Sequence, residues 1–153
     1  MKKNIHKSFD EGNKGEKIII EIFTSRGHKC EKSDGKLYHD LVLNDTDHIE
    51  VKYDIMSRKT GNIAIEYWNS KKNTASGLTA TQAKYWAHIA FTKEGEQLVY
   101  IAEVEKLREW VKNTSPKKTI KAGGDDNADL YIYGQDVAFG AGSPFGHIDN
   151  WSN

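Results

Sequence analysis

His48-Ile49-Glu50-Val51-Lys52-Tyr53-Asp54-Ile55 sets apolar Ile49, Val51 and Tyr53 alternately against charged Glu50 and Lys52. Side chains two apart on a strand point to one face, so the run predicts a β-strand with an apolar side and a charged side. Glu50 and Lys52 then share the charged side, an acid beside an amine. On its own such a pair also describes a solvated strand face carrying a same-side ion pair. Its neighbours in the chain therefore decide what it means.

Upstream, Tyr38-His39-Asp40-Leu41-Val42-Leu43 reads as a strand that Asn44-Asp45 ends as a turn. Downstream, residues 62–68 alternate Ile63, Ile65 and Tyr67 against Ala64 and Glu66, and the three runs predict an antiparallel meander. Ahead of it, residues 11–26 space Ile19, Ile20 and Phe23 as a helix, with Gly27 at the expected stop. Residues 69–77 have no apolar period and predict an exposed cationic loop. Thr79-Ala80-Thr81-Gln82 has the form of a capping box, and Tyr85, Trp86, Ile89 and Ala90 fall on one stripe, predicting a second helix. A strand over 97–102 and a short helix over 104–112 follow. The expected fold class is α/β, in the order α-β-β-β-α-β with a central mixed sheet flanked by helices. Asp129 to Phe139 is expected to add an edge strand to this domain of residues 1–139, and residues 140–153 to form a loosely held Gly-rich acidic tail.

Composition limits the possible functions. A chain of 153 residues, 37% hydrophobic and carrying 4 Trp, 7 Tyr and 5 Phe, suits one folded domain. The longest apolar runs, such as Ile18-Ile19-Ile20, are too short to cross a membrane, and no apolar stretch follows Met1-Lys2-Lys3 as in a signal peptide, so a cytoplasmic address is expected. Cys30 is the one cysteine, which excludes an intrachain disulfide and a Cys-rich zinc site. The formal net charge is zero, but residues 1–124 hold all 22 basic and 17 of the 22 acidic side chains, a formal +5. A basic body of that kind is compatible with a nucleic-acid partner held by local patches. No HExxH, GxxxxGK[ST] or GxSxG motif occurs, which disfavours a zinc enzyme, a P-loop NTPase and the usual serine hydrolase and leaves no nucleotide cofactor expected.

Asp40 on the neighbouring strand can bring a second carboxylate to Glu50, and two carboxylates with a backbone carbonyl make a hard-oxygen set suited to Mg²⁺. Such an ion activates water and neutralises phosphate charge, while Lys52 can hold the attacking water, so the chemistry points to phosphodiester hydrolysis. Glu16 lies on the helical stripe of Ile19, Ile20 and Phe23, a costly place for an acid without a partner. Its plainer explanation is a first-turn glutamate favoured by the helix dipole. Candidate nucleic-acid contacts are Arg58-Lys59, the loop pair Lys71-Lys72, and Lys117, Lys118 and Lys121. Gln82, Glu66 and His39 are accessory candidates, although a capping role, an exposed strand acid and a structural histidine are the simpler explanations.

An inward Glu16 on the first helix, Asp40 on a following strand and Glu50-Val51-Lys52 on the next together resemble the PD-(D/E)XK nuclease superfamily, which has a restriction-endonuclease-like core. The resemblance covers roughly residues 11–102. It implies that Asp40, Glu50 and the Val51 carbonyl bind Mg²⁺, with Mn²⁺ as a substitute, and that Lys52 is the catalytic lysine. Glu16 is similar to the helix-1 glutamate of archaeal Holliday-junction-resolvase-like and phage-encoded members, and Gln82 and Tyr85 are similar to a Gln and Tyr that some relatives place beside the site. The implied function is that of a DNA endonuclease, working as a homodimer with branched DNA as a substrate. The chain departs from the pattern at His39, which stands where the nominal proline precedes the aspartate. A non-catalytic nucleic-acid-binding module of the same fold and a sequence-specific restriction-type endonuclease are the alternatives.

Overall fold

A computed structural model of the chain describes residues 5–33, 41–122 and 127–152. The first half comprises α1 (Ile5–Ser25), β1 (Cys30–Lys32), β2 (Leu41–Leu43), β3 (Asp47–Tyr53), α2 (Ser57–Thr60), β4 (Asn62–Asn69) and β5 (Thr74–Ala75). Then come β6 (Tyr85–Phe91), β7 (Gln97–Glu103), α3 (Val104–Asn113), β8 (Lys118–Ile120), β9 (Ala128–Gly134), α4 (Gln135–Ala138) and β10 (Gly146–His147). The strands form a six-stranded sheet in the order β1-β2-β3-β6-β7-β10 and a four-stranded sheet in the order β5-β4-β9-β8. The class is α/β, with a mixed central sheet and a few helices.

α1 supplies one apolar layer. Ile19 and Phe23 are wholly buried against Leu41, Ile49, Val51 and Ile89 of the six-stranded sheet, each such burial stabilising by roughly 1.5–3 kcal/mol. The helix ends at Gly27, whose φ of 85° is left-handed. There the His28 and Gly27 N–H groups reach back to the carbonyls of Phe23 and Thr24 at 3.0 and 3.1 Å, the paired bonds that close a helix through a glycine. The opposite face of the sheet packs Trp86, Ala90 and Ala102 against Ile63, Ile65 and Tyr133 of the four-stranded sheet. Val104 and Leu107 of α3 close that second core.

The expected strand pair around Asn44-Asp45 is present. Leu41 pairs with Ile49 and Leu43 with Asp47, antiparallel, and Asn44 and Asp45 take φ of 52° and 68°, a mirror-image turn that suits strand twist. The third expected strand, β4, does not continue the meander. It leaves β3 through α2 and founds the four-stranded sheet, pairing with β9 and β5.

A larger correction concerns the second expected helix. Residues 85–91 form β6, a strand parallel to β3 and antiparallel to β7. Every residue from Tyr85 to Ala90 is buried, because α1 covers one face of this central strand and the second sheet covers the other. A strand apolar on both faces has no period of two, and its residues fall on a helical stripe by chance. Thr79 closes a 3-10 turn, Gly77–Thr79, and no helix follows it for a capping box to start.

Two expectations about the C-terminal part are also corrected. β9 is an interior strand between β4 and β8, not an edge, and α4 replaces its expected end. The tail is packed over much of its length: Phe145 and Ile148 are 5% and 1% exposed, β10 pairs with Tyr100 and Ile101 of β7, and Trp151 meets Phe23 edge to face at 5.0 Å. Its Gly and Ser residues hid three apolar anchors. Among the described residues no helix is long and apolar enough to cross a membrane.

Candidate functional site

β3 positions the central pair. Ile49 and Val51 enter the core beneath α1, so alternation sends Glu50 and Lys52 to the face shared with the second sheet. In the parallel ladder Glu50 stands beside Trp86 and Lys52 beside His88, and Lys52 Nζ lies 5.7 Å from the centroid of the Trp86 ring. The indole face attracts the ammonium and holds it over the sheet.

Glu50 is held as well. Its Oε1 accepts a hydrogen bond of 3.1 Å from the hydroxyl of Thr81, a side chain 4% exposed. Arg108 of α3 fixes the turn that carries Thr81. Its Nη2 donates to the Thr81 carbonyl at 2.6 Å and its Nε to the Leu78 carbonyl at 2.9 Å. The carboxylate and the ammonium are thus each positioned by a partner outside β3.

A buried polar chain runs beneath them. Trp86 Nε1–H donates to His88 Nδ1 at 3.1 Å, which leaves the ring proton on Nε2 to be donated to Asp54 Oδ2 at 2.9 Å. The same carboxylate oxygen accepts the Ala64 N–H at 3.0 Å. His88 is fully buried, and this chain joins the end of β3, β6 and the second sheet. Sequence reasoning missed Thr81, Trp86, His88, Asp54 and Arg108, chiefly because the strand that organises them was expected to be helical. The one available signal was the pair Trp86 and His88, two apart as residues on one strand face must be.

The other candidates are dispersed. Glu16 is 16% exposed and pairs with Lys32 of β1 at 3.4 Å, on the α1 side of the sheet together with Cys30. The side chain of Val51 is spent in the core. Arg58 and Lys59 are exposed on α2 and Gln82 is exposed after the 3-10 turn. Asp40 and His39 lie outside the described residues. Among the described residues, no group of three or more His, Cys, Asp or Glu side chains is placed to hold a metal ion. The described carboxylates here are those of Glu50, which accepts from Thr81, and of Asp54, which is engaged by His88 and Ala64, so Mg²⁺ fits only if Asp40 joins Glu50.

Lys71 and Lys72 occupy the turn between β4 and β5 and are exposed. With Glu66, Asn69, Thr74, Ala75, Ser76 and Asn127 they line a cleft of about 580 Å³. Asp129 anchors the start of this turn by accepting from the Ser70 hydroxyl and the Ala122 N–H. Those bonds, helped by Lys121, hold its carboxyl below the ordinary aspartate range. Gly77, with φ of 54°, passes so close to β4 that a Cβ there would lie 2.1 Å from the Glu66 carbonyl oxygen. Only glycine fits at this crossing.

The chain matches no family model, no curated protein and no solved structure.

Proposed function

We propose that the protein is a Mg²⁺-dependent endonuclease that hydrolyses phosphodiester bonds in DNA. The observation carrying this reading is the presentation of Glu50 and Lys52 on one face of β3, each held from outside the strand by Thr81 and Trp86 respectively. A surface ion pair needs no such support, whereas a reacting carboxylate and ammonium need fixed positions. The register adds to it: Leu41 stands opposite Ile49, one residue before Glu50, and Asp40 is one peptide unit, about 3.8 Å, from Leu41. The chain can therefore bring Asp40 within reach of Glu50.

In this reading Asp40, Glu50 and the Val51 carbonyl would hold the ion, which would supply activation of a water and charge neutralisation at the phosphate. Lys52 orients the attacking water or stabilises the pentavalent oxygens, since its ammonium is fixed over Trp86 and carries charge of the needed sign. Lys71 and Lys72, with Arg58 and Lys59 as a second patch, contact the backbone of the DNA. Cleavage of branched DNA by two copies, each with one site, belongs to the same proposal. Glu16 has a place in it only through a water or second ion, because it pairs with Lys32 on the α1 side of the sheet.

A second reading is a binding module of the same fold without catalysis. It is favoured by the small number of described carboxylates at the site. Supercoiled, linear, single-stranded and four-way-junction DNA, each incubated in Mg²⁺, Mn²⁺ and EDTA, separates the two. The nuclease reading expects metal-dependent cutting of at least one form, lost in both Lys52→Ala and Asp40→Asn with DNA affinity kept. Binding without cutting by the unaltered protein would support the module. Discrete bands from a random-sequence plasmid would instead mark a restriction-type enzyme.

A further inference from the structure

We propose that the cleft between β4 and the β4–β5 turn is a subsite for one unpaired guanine nucleotide of a single strand, with Lys71 and Lys72 taking its phosphate and Glu66 its base. The proposal extends the nuclease reading to substrate recognition and so rests on it, but its test reads occupancy of the cleft without any cutting.

The charges lining this cleft do not satisfy one another. Lys71, Lys72 and Glu66 all line it, yet among the described residues neither ammonium forms an ion pair and the Glu66 carboxylate has no hydrogen bond. Ser76 adds a buried hydroxyl that has no hydrogen-bond partner among the described residues. Opposite charges around one concave space, left unpaired, suit a ligand that itself carries an anion and separate N–H donors. A nucleotide has both. Phosphate pairs with lysine as a point charge. A carboxylate accepts two parallel N–H bonds from a base edge that presents two adjacent donors; guanine does so through its ring N–H and amino group, whereas uracil and thymine offer a single ring N–H. The volume falls within the range of small-ligand sites, roughly 300–1,000 Å³.

The cleft also adjoins the proposed cutting site. Ser76 on its wall is followed by Gly77, whose carbonyl accepts the Thr81 N–H at 2.9 Å, and the Thr81 hydroxyl holds Glu50. A single turn of chain therefore separates the two, so a strand lying across Glu50 and Lys52 can place a neighbouring nucleotide in the cleft.

The test titrates the whole chain in EDTA with GMP, CMP, AMP, UMP and inorganic phosphate, followed by backbone amide shifts. A T-rich pentanucleotide with and without one central guanine forms a further arm. GMP is expected to bind at least tenfold more tightly than UMP and to shift the amides of residues 69–76, and the guanine-containing strand is expected to outbind its counterpart. Glu66→Gln should erase the preference for GMP while leaving phosphate binding intact. Lys71→Gln with Lys72→Gln should weaken every phosphate-bearing ligand tenfold or more; both lysines are exposed, so this variant folds. Equal affinity for GMP and UMP, no binding by any of these ligands, or a GMP preference that survives Glu66→Gln would overturn the proposal. Guanine binding without metal-dependent cutting would sink the nuclease reading alone, and cutting without guanine preference would sink this one alone.

Discussion

Thr81 shows how much a single hydroxyl can carry. It donates to Glu50 while its carbonyl is held by Arg108, so the carboxylate cannot swing without breaking a bond to a charged group, worth about 1.5–3 kcal/mol. Thr81→Val keeps the shape and removes the donor, so metal-dependent cleavage should fall by about ten- to a hundredfold with DNA affinity unchanged. An equal rate in wild type and variant would show that Glu50 needs no support. Asp129 makes a prediction about pH instead. Its folded-state pKa lies below the ordinary aspartate value because Ser70 and Ala122 donate to it, so its contribution to stability is complete above that ordinary value, near 4. It is lost as the pH falls through the lower, folded-state value. Asp129→Asn should therefore be less stable than wild type at pH 7, with the difference shrinking in urea melts below pH 4. A gap that stays constant down to pH 2 would remove the charge from the explanation. Glu50 and Lys52 were legible at this scale because alternation on a strand is a local rule, whereas Asp54 was not, since its partner His88 is brought to it by the fold.

β6 is the element that sequence periodicity misassigned, and the error has a physical cause. A strand covered on both faces carries apolar residues at every position, and Thr79-Ala80-Thr81-Gln82 ahead of it supplied a false helix start. The neighbouring elements α1, β3, β4, β7 and α3 were legible because each has one covered face and one wetter face, which writes a period into the sequence. β9 was half legible: a strand was expected from Asp129 onward, but nothing local tells an interior strand from an edge. His88 distinguishes the strand from the helix by experiment. On a helix starting at Thr79 it would lie off the apolar stripe of Tyr85, Trp86 and Ile89, and its replacement would change stability by less than about 0.5 kcal/mol. In the strand it is fully buried between Trp86 and Asp54. His88→Ala should therefore cost about 3 kcal/mol or more, since it leaves a cavity and strips two buried groups of partners. Chemical denaturation at neutral pH measures this directly, and a loss below 1 kcal/mol would be incompatible with the buried chain.

At the scale of the whole molecule, the last segment closes the structure rather than trailing from it. Arg26, just beyond α1, donates from Nη1 to the Ile148 carbonyl at 2.6 Å and pairs with Asp149 at 2.5 Å, while Trp151 packs edge to face on Phe23, His28 and Tyr85. Ile148 and Trp151 thus complete the core under α1, and Phe145 completes the core between the sheets. One short segment serves both layers. Its anchors could not be read from a stretch dominated by Gly, Ser and Asn, because three apolar residues spaced three apart, with neither the i+4 partners of an amphipathic helix nor the alternation of a strand, look like loop composition. Their energetic weight nevertheless follows from burial: Ile148→Ala alone should cost about 2–5 kcal/mol, and at a few degrees per kcal/mol for a chain of this size it should lower the Tm by roughly 5–15 °C. Removing residues 144–153 should lower it further and loosen both cores together, so that Trp86 fluorescence and the α1 helical signal melt at one reduced temperature. If the truncated chain kept its Tm within 2 °C, the segment would contribute nothing to either core, and the packing of Trp151 on Phe23 would have no thermodynamic weight.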